Sequence, residues 1–281
     1  MSVFSKQLIW QFSRLLPGAI IRAVGRFQFR CPLLGGVIRR FASAALSGEG
    51  TIARGVGAGL RFDPTGGFPD MIMGTTEPEE QTILNRYLAE GAVFYDIGAN
   101  IGFYSTLAGK LVGPTGHVYA FEPHPETANR CRSNALRNRF DHVDVATAAV
   151  SSYDGTIELA LGDGSTQSTI SQKLGEPNEG LLVRVISIDQ WRKSRQALLS
   201  SLVLIDAEGQ EIEILKGMRE TITAAMPVFM IEVHWLGIAF VEFVERELVP
   251  SGYCFTTYDG ALLKREVCRY HVLGIPGSLC S

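Results

Sequence analysis

The chain has 281 residues, of which 46% are hydrophobic and 20% charged, so it has ample material for a buried core and lacks the composition of a disordered protein. This length suits one large α/β domain with an N-terminal appendage. The net charge of −3 hides an asymmetry, because residues 1–48 carry +7 with no acidic side chain and the remainder carries −10. We therefore predict a basic arm (1–48) ahead of an acidic domain (49–281).

The basic arm begins with apolar residues at helical spacing. Ile9, Phe12, Leu15 and Leu16 recur as on one face of a helix, which predicts a basic amphipathic helix. Such a helix suits peripheral contact with an anionic membrane surface. The alternative is that it packs on the domain or on a second subunit, as in a homodimer. No apolar stretch reaches the roughly 18 residues of a membrane span, and the spread of the charges does not fit a cleaved signal peptide.

The five cysteines are odd in number and include no C-x-x-C pair, which argues against a disulfide framework and a structural zinc site. This usage favours a reducing compartment, so we expect a cytoplasmic protein that is peripheral to the membrane where the arm makes contact. The acidic domain shows no basic face with interleaved aromatic residues. We therefore expect a small-molecule or glycan partner and no nucleic acid.

From Gly91 onward, apolar strands alternate with helical patterns, which predicts a mainly parallel sheet covered on both faces. The predicted core strands are 93–97, 117–121, 143–150, 202–206 and 228–234. Two further extended segments are predicted at 156–161 and 182–188. The closing stretch "GYCFTTYDGALLKREVCRYHVLGIP" predicts an antiparallel hairpin with its turn at Asp259 and Gly260.

The stretch "AVFYDIGANIGFYSTLAG" ends a strand at Asp96 and turns through Gly98, Asn100 and Gly102 before the next helix. Glycine and asparagine tolerate left-handed backbone, and a missing Cβ lets a ligand approach the main chain. Glu122 follows 20 residues after Gly102, at the end of the next strand. A carboxylate at that place pairs with ribose hydroxyls in nucleotide-binding βαβ units. The sequence therefore predicts a nucleoside site.

The spacing of this loop discriminates between nucleoside cofactors. A dinucleotide site needs G-x-G-x-x-G so that a helix N-terminus receives the pyrophosphate, whereas this loop reads G-x-N-x-G. An NAD-dependent reductase is thus disfavoured. The loop, with Asp96 two residues before its first glycine, instead resembles the first motif of class I S-adenosylmethionine methyltransferases, in which a carboxylate suits the cationic amino-acid end of the ligand.

A second pair of signals lies at the ends of the next two core strands. "LVLIDAEGQ" places Asp206 and Glu208, and "VFMIEVHW" places Glu232 and His234. Alternation on extended chain points the members of each pair the same way, and all four should gather at the carboxyl edge of the sheet. His234 is the first candidate for a general base, with Glu232 and Asp206 as rivals. The four residues, Glu208 included, could equally hold Mg²⁺ or another oxygen-preferring metal.

These motifs together resemble the FkbM family of S-adenosylmethionine-dependent O-methyltransferases. The resemblance covers roughly 51–235 and rests on the following segments: "RGVGAGLRF", "GTTEPEEQTIL", Asp96 to Gly102, Glu122 with Pro123, Asn134, Asn138, and Asp206 to Gly217. The family usually has a lysine two residues before the aspartate of D-x-E-G, and this chain has Leu204 there.

The resemblance implies a Rossmann-like, doubly wound α/β fold with a seven-stranded sheet, here with the C-terminal hairpin and the N-terminal helical arm. The predicted cofactor-binding residues are Glu77, Asp96, Gly98, Asn100, Gly102, Phe103, Glu122, Pro123, Ala149 and Asp206. Transfer to oxygen is expected, because the fourth core strand lacks the Asn/Asp-Pro-Pro-aromatic motif of amino-directed enzymes and no cysteine lies near the predicted site.

The expected acceptor is a sugar hydroxyl in a glycan, a glycolipid or a glycosylated metabolite. The polar segment 162–180 and the apolar segment 234–240 are available to line its pocket. The alternative function is a catalytically inactive protein of the same fold that binds the cofactor or acts as a scaffold.

Overall fold

The computed structural model describes residues 48–65, 67–159 and 180–279. The predicted amphipathic helix of the arm and nearly all of the polar segment 162–180 lie outside the described residues. Both therefore stay predictions, as does the domain boundary after residue 48. Within the described ranges, no helix is both long and apolar enough to cross a membrane.

The described residues form twelve strands, eight α-helices and a terminal 3₁₀ turn at Gly277–Leu279. The strands are β1 (Gly50–Thr51), β2 (Arg61–Phe62), β3 (Val93–Ile97), β4 (His117–Phe121), β5 (Val143–Ala146), β6 (Ala149–Val150), β7 (Gly155–Leu159), β8 (Leu181–Ile186), β9 (Leu202–Ile205), β10 (Val228–His234), β11 (Tyr253–Thr257) and β12 (Arg269–Pro276). The helices are α1 (Pro69–Met73), α2 (Pro78–Tyr87), α3 (Phe103–Val112), α4 (Pro125–Arg137), α5 (Ile188–Arg195), α6 (Glu211–Lys216), α7 (Arg219–Ala225) and α8 (Ile238–Glu247).

The main sheet has seven strands in the order β11-β12-β10-β9-β3-β4-β5. Five neighbouring strands, from β10 to β5, run parallel, and β12 is antiparallel to both β10 and β11. The chain builds outward from β3 through β4 to β5 and then returns to place β9 on the other side of β3. The strand order reverses between β3 and β9, and open α/β sheets bind ligands at such a point.

Both faces of the sheet are buried, as its continuous apolar strands predict. Along β9, Leu202 and Leu204 pack into one cluster with α2 and α3, while Val203 and Ile205 pack on the opposite face with α5, α6, α7 and α8. Leu204, where the family usually has a lysine, is therefore part of the apolar core and is 5% exposed. The predicted fold class is confirmed.

Several predicted strands have different bounds in the structure. The predicted strand 143–150 is two strands, β5 in the main sheet and β6 in a separate three-stranded sheet with β7 and β8. The strand predicted to reach Asp206 ends at Ile205, and residue 188, predicted as strand, begins α5. The closing hairpin is confirmed, although eleven residues, 258–268, separate its strands where a tight turn was predicted.

Two asparagines named in the family resemblance, Asn134 and Asn138, connect α4 to the segment 61–63. Asn134 also connects α4 to the loop after β3. Asn134 accepts a hydrogen bond from the Asp63 N–H and donates one to the Ile101 carbonyl, each at 2.9 Å. Asn138 makes the corresponding pair of hydrogen bonds with the backbone of Arg61, each at 2.8 Å. Side-chain amides thus bridge α4 to β2, because each offers both a donor and an acceptor.

The loops after β3 and β9 meet at Gly98. Gly98 has a φ of +89°, and a Cβ added there would lie 1.8 Å from the backbone oxygen of Asp206. Only a glycine permits both this conformation and this contact. The Asp206 N–H also donates to the Ile97 carbonyl at 2.9 Å, so the cofactor loop and the D-x-E-G loop are fixed to each other.

We expect Gly98→Ala to lower the free energy of unfolding by at least about 3 kcal/mol, because it combines left-handed strain with overpacking against backbone. Gly260→Ala is the matched control, since Gly260 has a φ of +82° but open space around its would-be Cβ. The control should lose only about 1 kcal/mol. Urea unfolding of the two variants measures the difference, and equal losses would contradict the close approach of the two loops.

Candidate active site

A cavity opens at the carboxyl ends of β3 and β9, where the strand order reverses. Eight of the ten predicted cofactor residues line it: Glu77, Gly98, Asn100, Phe103, Glu122, Pro123, Ala149 and Asp206. Glu208, Arg269 and the apolar side chains of Phe68, Met71, Ile101 and Phe121 line it as well. The cavity therefore has apolar walls with a few carboxylates, which is the usual composition of a small-molecule site.

Asp96 and Gly102 are not in the cavity wall. Asp96 is 1% exposed and accepts a hydrogen bond from the Ser105 hydroxyl, and burial raises its pKa to about 6. Gly102, with a φ of +81°, begins α3 where a Cβ would lie 2.5 Å from Cys131 Sγ. In the structure both residues stabilise the conformation of the loop, and their predicted contact with the cofactor stays a prediction.

Glu122 forms the base of the cofactor loop. One carboxylate oxygen accepts the Asn100 N–H at 3.0 Å and the other accepts the His124 N–H at 2.9 Å. Asn100 has a left-handed φ of 50°, so its backbone lies along the cavity wall. Burial raises the pKa of Glu122 to about 7 despite these two hydrogen bonds. Each carboxylate oxygen retains a second lone pair for a ligand hydroxyl.

The residues present fit S-adenosylmethionine. Glu122 offers paired acceptors for two ribose hydroxyls, and Ile101 and Phe121 offer an apolar wall for an adenine ring. Glu77, Asp206 and Glu208 line the same cavity, and carboxylates attract the positively charged sulfonium and amino groups of this cofactor. Tyr104 also lines the cavity, and its hydroxyl donates to the Glu77 carboxylate.

His234 lies beneath the acidic rim of the cavity and is fully buried at the end of β10. Its Nε2 atom lies 3.6 Å from Asp206 Oδ1, 3.7 Å from Glu208 Oε2 and 3.9 Å from Glu232 Oε2. Among the described residues, Nε2 has no hydrogen-bond partner. The structure thus brings together all four side chains predicted from the two strand ends.

The predicted reason for this convergence, strand alternation, is right for one pair of residues and wrong for the other. Glu232 and His234 do point the same way on the extended chain of β10. Asp206 and Glu208, by contrast, lie beyond the end of β9, and Glu208 has a left-handed φ of 49°. A turn, and not strand alternation, therefore carries these two carboxylates to His234.

Glu211 was not predicted, yet it makes the shortest contact of His234. The Nδ1 atom of His234 is 2.9 Å from Glu211 Oε1, and both side chains are fully excluded from solvent. Burial lowers the pKa of His234, but the hydrogen bond to Glu211 and the nearby carboxylates of Glu208 and Asp206 outweigh it and raise that pKa above 6.5. A carboxylate on Nδ1 fixes the ring and leaves Nε2 among the carboxylates of Asp206, Glu208 and Glu232.

Arg269 and His271, on the antiparallel neighbour β12, were also missed. Arg269 donates through Nε to Glu232 Oε1, and His271 Nε2 lies 3.5 Å from the same oxygen. Burial raises the pKa of Glu232, but the arginine reverses this shift and the net pKa is lowered. For Asp206 the burial at the cleft and the neighbouring Glu232 act together, so its pKa is raised well above the ordinary value.

Comparison with known proteins assigns the chain to a family. The family model described as "Methyltransferase FkbM domain" matches residues 96–254, which is more than half of the chain. The chain belongs to the FkbM methyltransferase family. Residues 96–254 are accordingly a methyltransferase domain of the FkbM type.

Two curated relatives match the FkbM chain over part of its length. It is 27% identical to the hexuronic acid methyltransferase AglP of Haloferax volcanii over 158 residues, covering 55% of this chain and 62% of AglP. It is also 27% identical to the 2-O-methyltransferase NoeI of Sinorhizobium fredii over 146 residues, covering 47% of this chain and 59% of NoeI. The matched region thus spans less than two thirds of each relative.

Among solved structures, the FkbM methyltransferase of Methylobacillus flagellatus KT aligns with a TM-score of 0.42 and 14% identity. The alignment covers 73% of this chain and 53% of that protein.

We expect Glu122→Ala to weaken S-adenosylmethionine binding by about 1 to 3 kcal/mol, since it leaves ribose hydroxyls and the Asn100 N–H without their acceptor. Isothermal titration calorimetry measures the change, and Glu126→Ala, on the exposed first turn of α4, is the matched control that should bind normally. Unchanged affinity in Glu122→Ala, or tight NAD binding without any response to S-adenosylmethionine, would contradict the assignment.

Proposed function

We propose that this methyltransferase is O-directed and acts on a sugar hydroxyl of a glycan, a glycolipid or a glycosylated metabolite. The observation that carries the proposal is the buried His234 ring, whose Nε2 is unpartnered among the described residues and faces the carboxylates at the cavity rim. The names of the two relatives, one a hexuronic acid methyltransferase and one a 2-O-methyltransferase, support a sugar hydroxyl as acceptor.

His234 is the proposed general base. The Glu211 carboxylate accepts the proton of Nδ1, so the neutral ring has its lone pair on Nε2, the atom that faces Asp206 and Glu208 in the cavity wall. An alcohol gives up its proton poorly, and a base within hydrogen-bond reach removes that proton as the new C–O bond forms. Glu211 stabilises the imidazolium that results, as a buried carboxylate does behind other catalytic histidines.

The proposed cofactor site places the donor next to this base. Glu122 would hold the ribose hydroxyls, and the backbone at Gly98 and Asn100 would contact the rest of the cofactor. The cofactor, when bound, supplies a methyl group on a positively charged sulfur. Because Asp206 lines the same cavity and also lies 3.6 Å from His234, it orients the acceptor hydroxyl between donor and base.

A divalent metal ion is the second candidate activator. One ligand atom each from Asp206, Glu232 and His234 lies within 4.8 Å of the others. Carboxylates and an imidazole suit Mg²⁺ or Mn²⁺, and such an ion would hold the acceptor oxygen and increase its acidity. In that case Nε2 of His234 is a ligand, and the hydroxyl proton leaves by another route.

Replacement of His234 distinguishes chemistry from binding. We expect His234→Gln, which can still donate to Glu211 but is not a base, to slow methyl transfer by about 10²- to 10⁴-fold. Its affinity for S-adenosylmethionine should stay within a few fold of the parent. His117→Gln, at the opposite end of the parallel strands, is the control and should keep full activity.

If a divalent metal ion is the activator, the expected activity results differ from those for a histidine base. Activity should then be lost on treatment with a chelator and restored by Mg²⁺ or Mn²⁺, with Asp206→Ala at least as damaging as the histidine variant. Full activity in both variants and in chelator would refute the proposed site. Normal cofactor binding without transfer to any sugar, peptide or phenol acceptor would favour the inactive scaffold instead.

A further inference from the structure

Left-handed backbone is concentrated around the cavity. Among the described residues, seven that are not glycine have a positive φ: Glu77, Asn100, Arg139, Gln196, Glu208, Met226 and Trp235. Three of them lie at or just beyond the C-terminal ends of α4, α5 and α7, where left-handed residues commonly end a helix. The other four are Glu77, Asn100 and Glu208 in the cavity wall and Trp235 directly after His234.

Trp235 is the least expected member of this group. Asparagine tolerates left-handed backbone, whereas a bulky residue with a φ of 55° is a genuine outlier. The surrounding chain holds this conformation, because the Trp235 N–H donates to the Cys268 carbonyl at 3.3 Å and a Cβ on Gly237 would lie 3.1 Å from the Arg265 carbonyl oxygen. Strain of this kind persists where the structure over-determines it, and it clusters at ligand clamps.

The strained backbone presents the indole to solvent beside the reactive histidine. Trp235 is 54% exposed, while the next residue, Leu236, packs into the core. The indole centroid lies 5.4 Å from the centroid of the His234 ring. The exposed indole is thus a direct neighbour of the His234 ring, whose Nε2 is surrounded by three carboxylates.

We propose that Trp235 is the stacking platform for the ring of an uncharged sugar acceptor, whose hydroxyls donate to Asp206 and Glu208. This inference rests on the proposed function and narrows its substrate class. A sugar ring has an apolar C–H face that suits an indole, and a rim of hydroxyls that suits carboxylate acceptors. The indole and the carboxylates offer these two kinds of surface side by side.

The charges around the site disfavour an acidic sugar. Eight carboxyl groups of the described residues lie at the cavity, its rim and the adjoining groove: Glu77, Glu79, Glu80, Glu122, Asp206, Glu208, Glu232 and Asp259. The basic side chains in these linings are Arg269, His271 and Lys264; the first two contact Glu232, and Lys264 lies over the Tyr270 ring. A sugar carboxylate would therefore meet mostly carboxyl groups and few basic partners, which costs affinity. In this respect the acceptor differs from the hexuronic acid named for AglP.

The test uses the full chain loaded with S-adenosylhomocysteine and matched pairs of methyl glycosides and the corresponding methyl uronosides of glucose, galactose and mannose. Binding is followed by calorimetry and by the indole N–H signals in NMR, with Trp235→Phe assigning the signal of Trp235. Methyl transfer to the same panel, with S-adenosylmethionine as donor, is followed by mass spectrometry. We expect at least one neutral glycoside to shift the Trp235 signal and to be methylated, with its uronoside at least about tenfold weaker.

The variants separate stacking from folding. Trp235→Ala should raise the acceptor KM by about 3- to 10-fold with little change in cofactor affinity, and Trp235→Phe should largely restore it. Trp235→Gly should unfold at a Tm no lower than the parent, because glycine adopts the left-handed conformation without strain. Leu136→Ala is the control for an exposed apolar side chain, at the end of α4 far from the carboxyl edge of the sheet, and should change none of these values.

Three results would overturn the inference while the proposed function stands. They are sugar methylation with an unchanged KM in Trp235→Ala, a clear preference for the uronosides, and a large fall in Tm for Trp235→Gly, which would make Trp235 a structural residue. Methylation of a peptide or phenol acceptor, with no sugar bound or methylated, would refute the proposed function and this inference with it.

Discussion

The contact between Gly98 and the Asp206 carbonyl is the constraint on which the site depends. It joins the loops that follow the two strands on either side of the point where the strand order reverses. One loop carries the backbone that lies over Glu122, and the other carries the carboxylates that face His234. Because the two loops are in contact, Glu122 of the proposed donor site and the carboxylates of Asp206 and Glu208 beside His234 line one cavity. Transfer of a methyl group requires this proximity.

The carboxyl groups around the cavity lower the stability of the folded protein. Burial raises the pKa of Glu122, and at the partly exposed Asp206 the neighbouring Glu232 adds to the same upward shift of the pKa. Glu232 is the exception, because Arg269 holds it ionised. The positive charge of a bound cofactor would offset the repulsion among these carboxyl groups. Cofactor binding would therefore also stabilise the folded protein. The strained backbone at Trp235 adds a second cost, and the proposed acceptor explains it.

Sequence patterns identified the site residues that lie close to one strand end. They missed the residues that only the folded chain brings to the site. The glycine turn, Glu122 and the two polar strand ends were found because their spacing reflects chain geometry near one strand. Glu211 was missed because a glutamate on the first turn of a helix resembles an ordinary solvated residue. Arg269 was missed because it reaches Glu232 across an antiparallel pair with 36 residues between them. Asp96 was predicted to contact the ligand; in the structure it accepts a hydrogen bond from Ser105, and the predicted contact stays a prediction.

The most direct test of the account is a crystal structure of the chain with S-adenosylhomocysteine. Both ribose hydroxyls should lie within hydrogen-bond distance of the Glu122 carboxylate, about 2.5 to 3.0 Å. The sulfur should face the space between Asp206 and Nε2 of His234. Density for the nucleoside outside the cavity between β3 and β9, or a sulfur directed away from His234, would contradict the central claim.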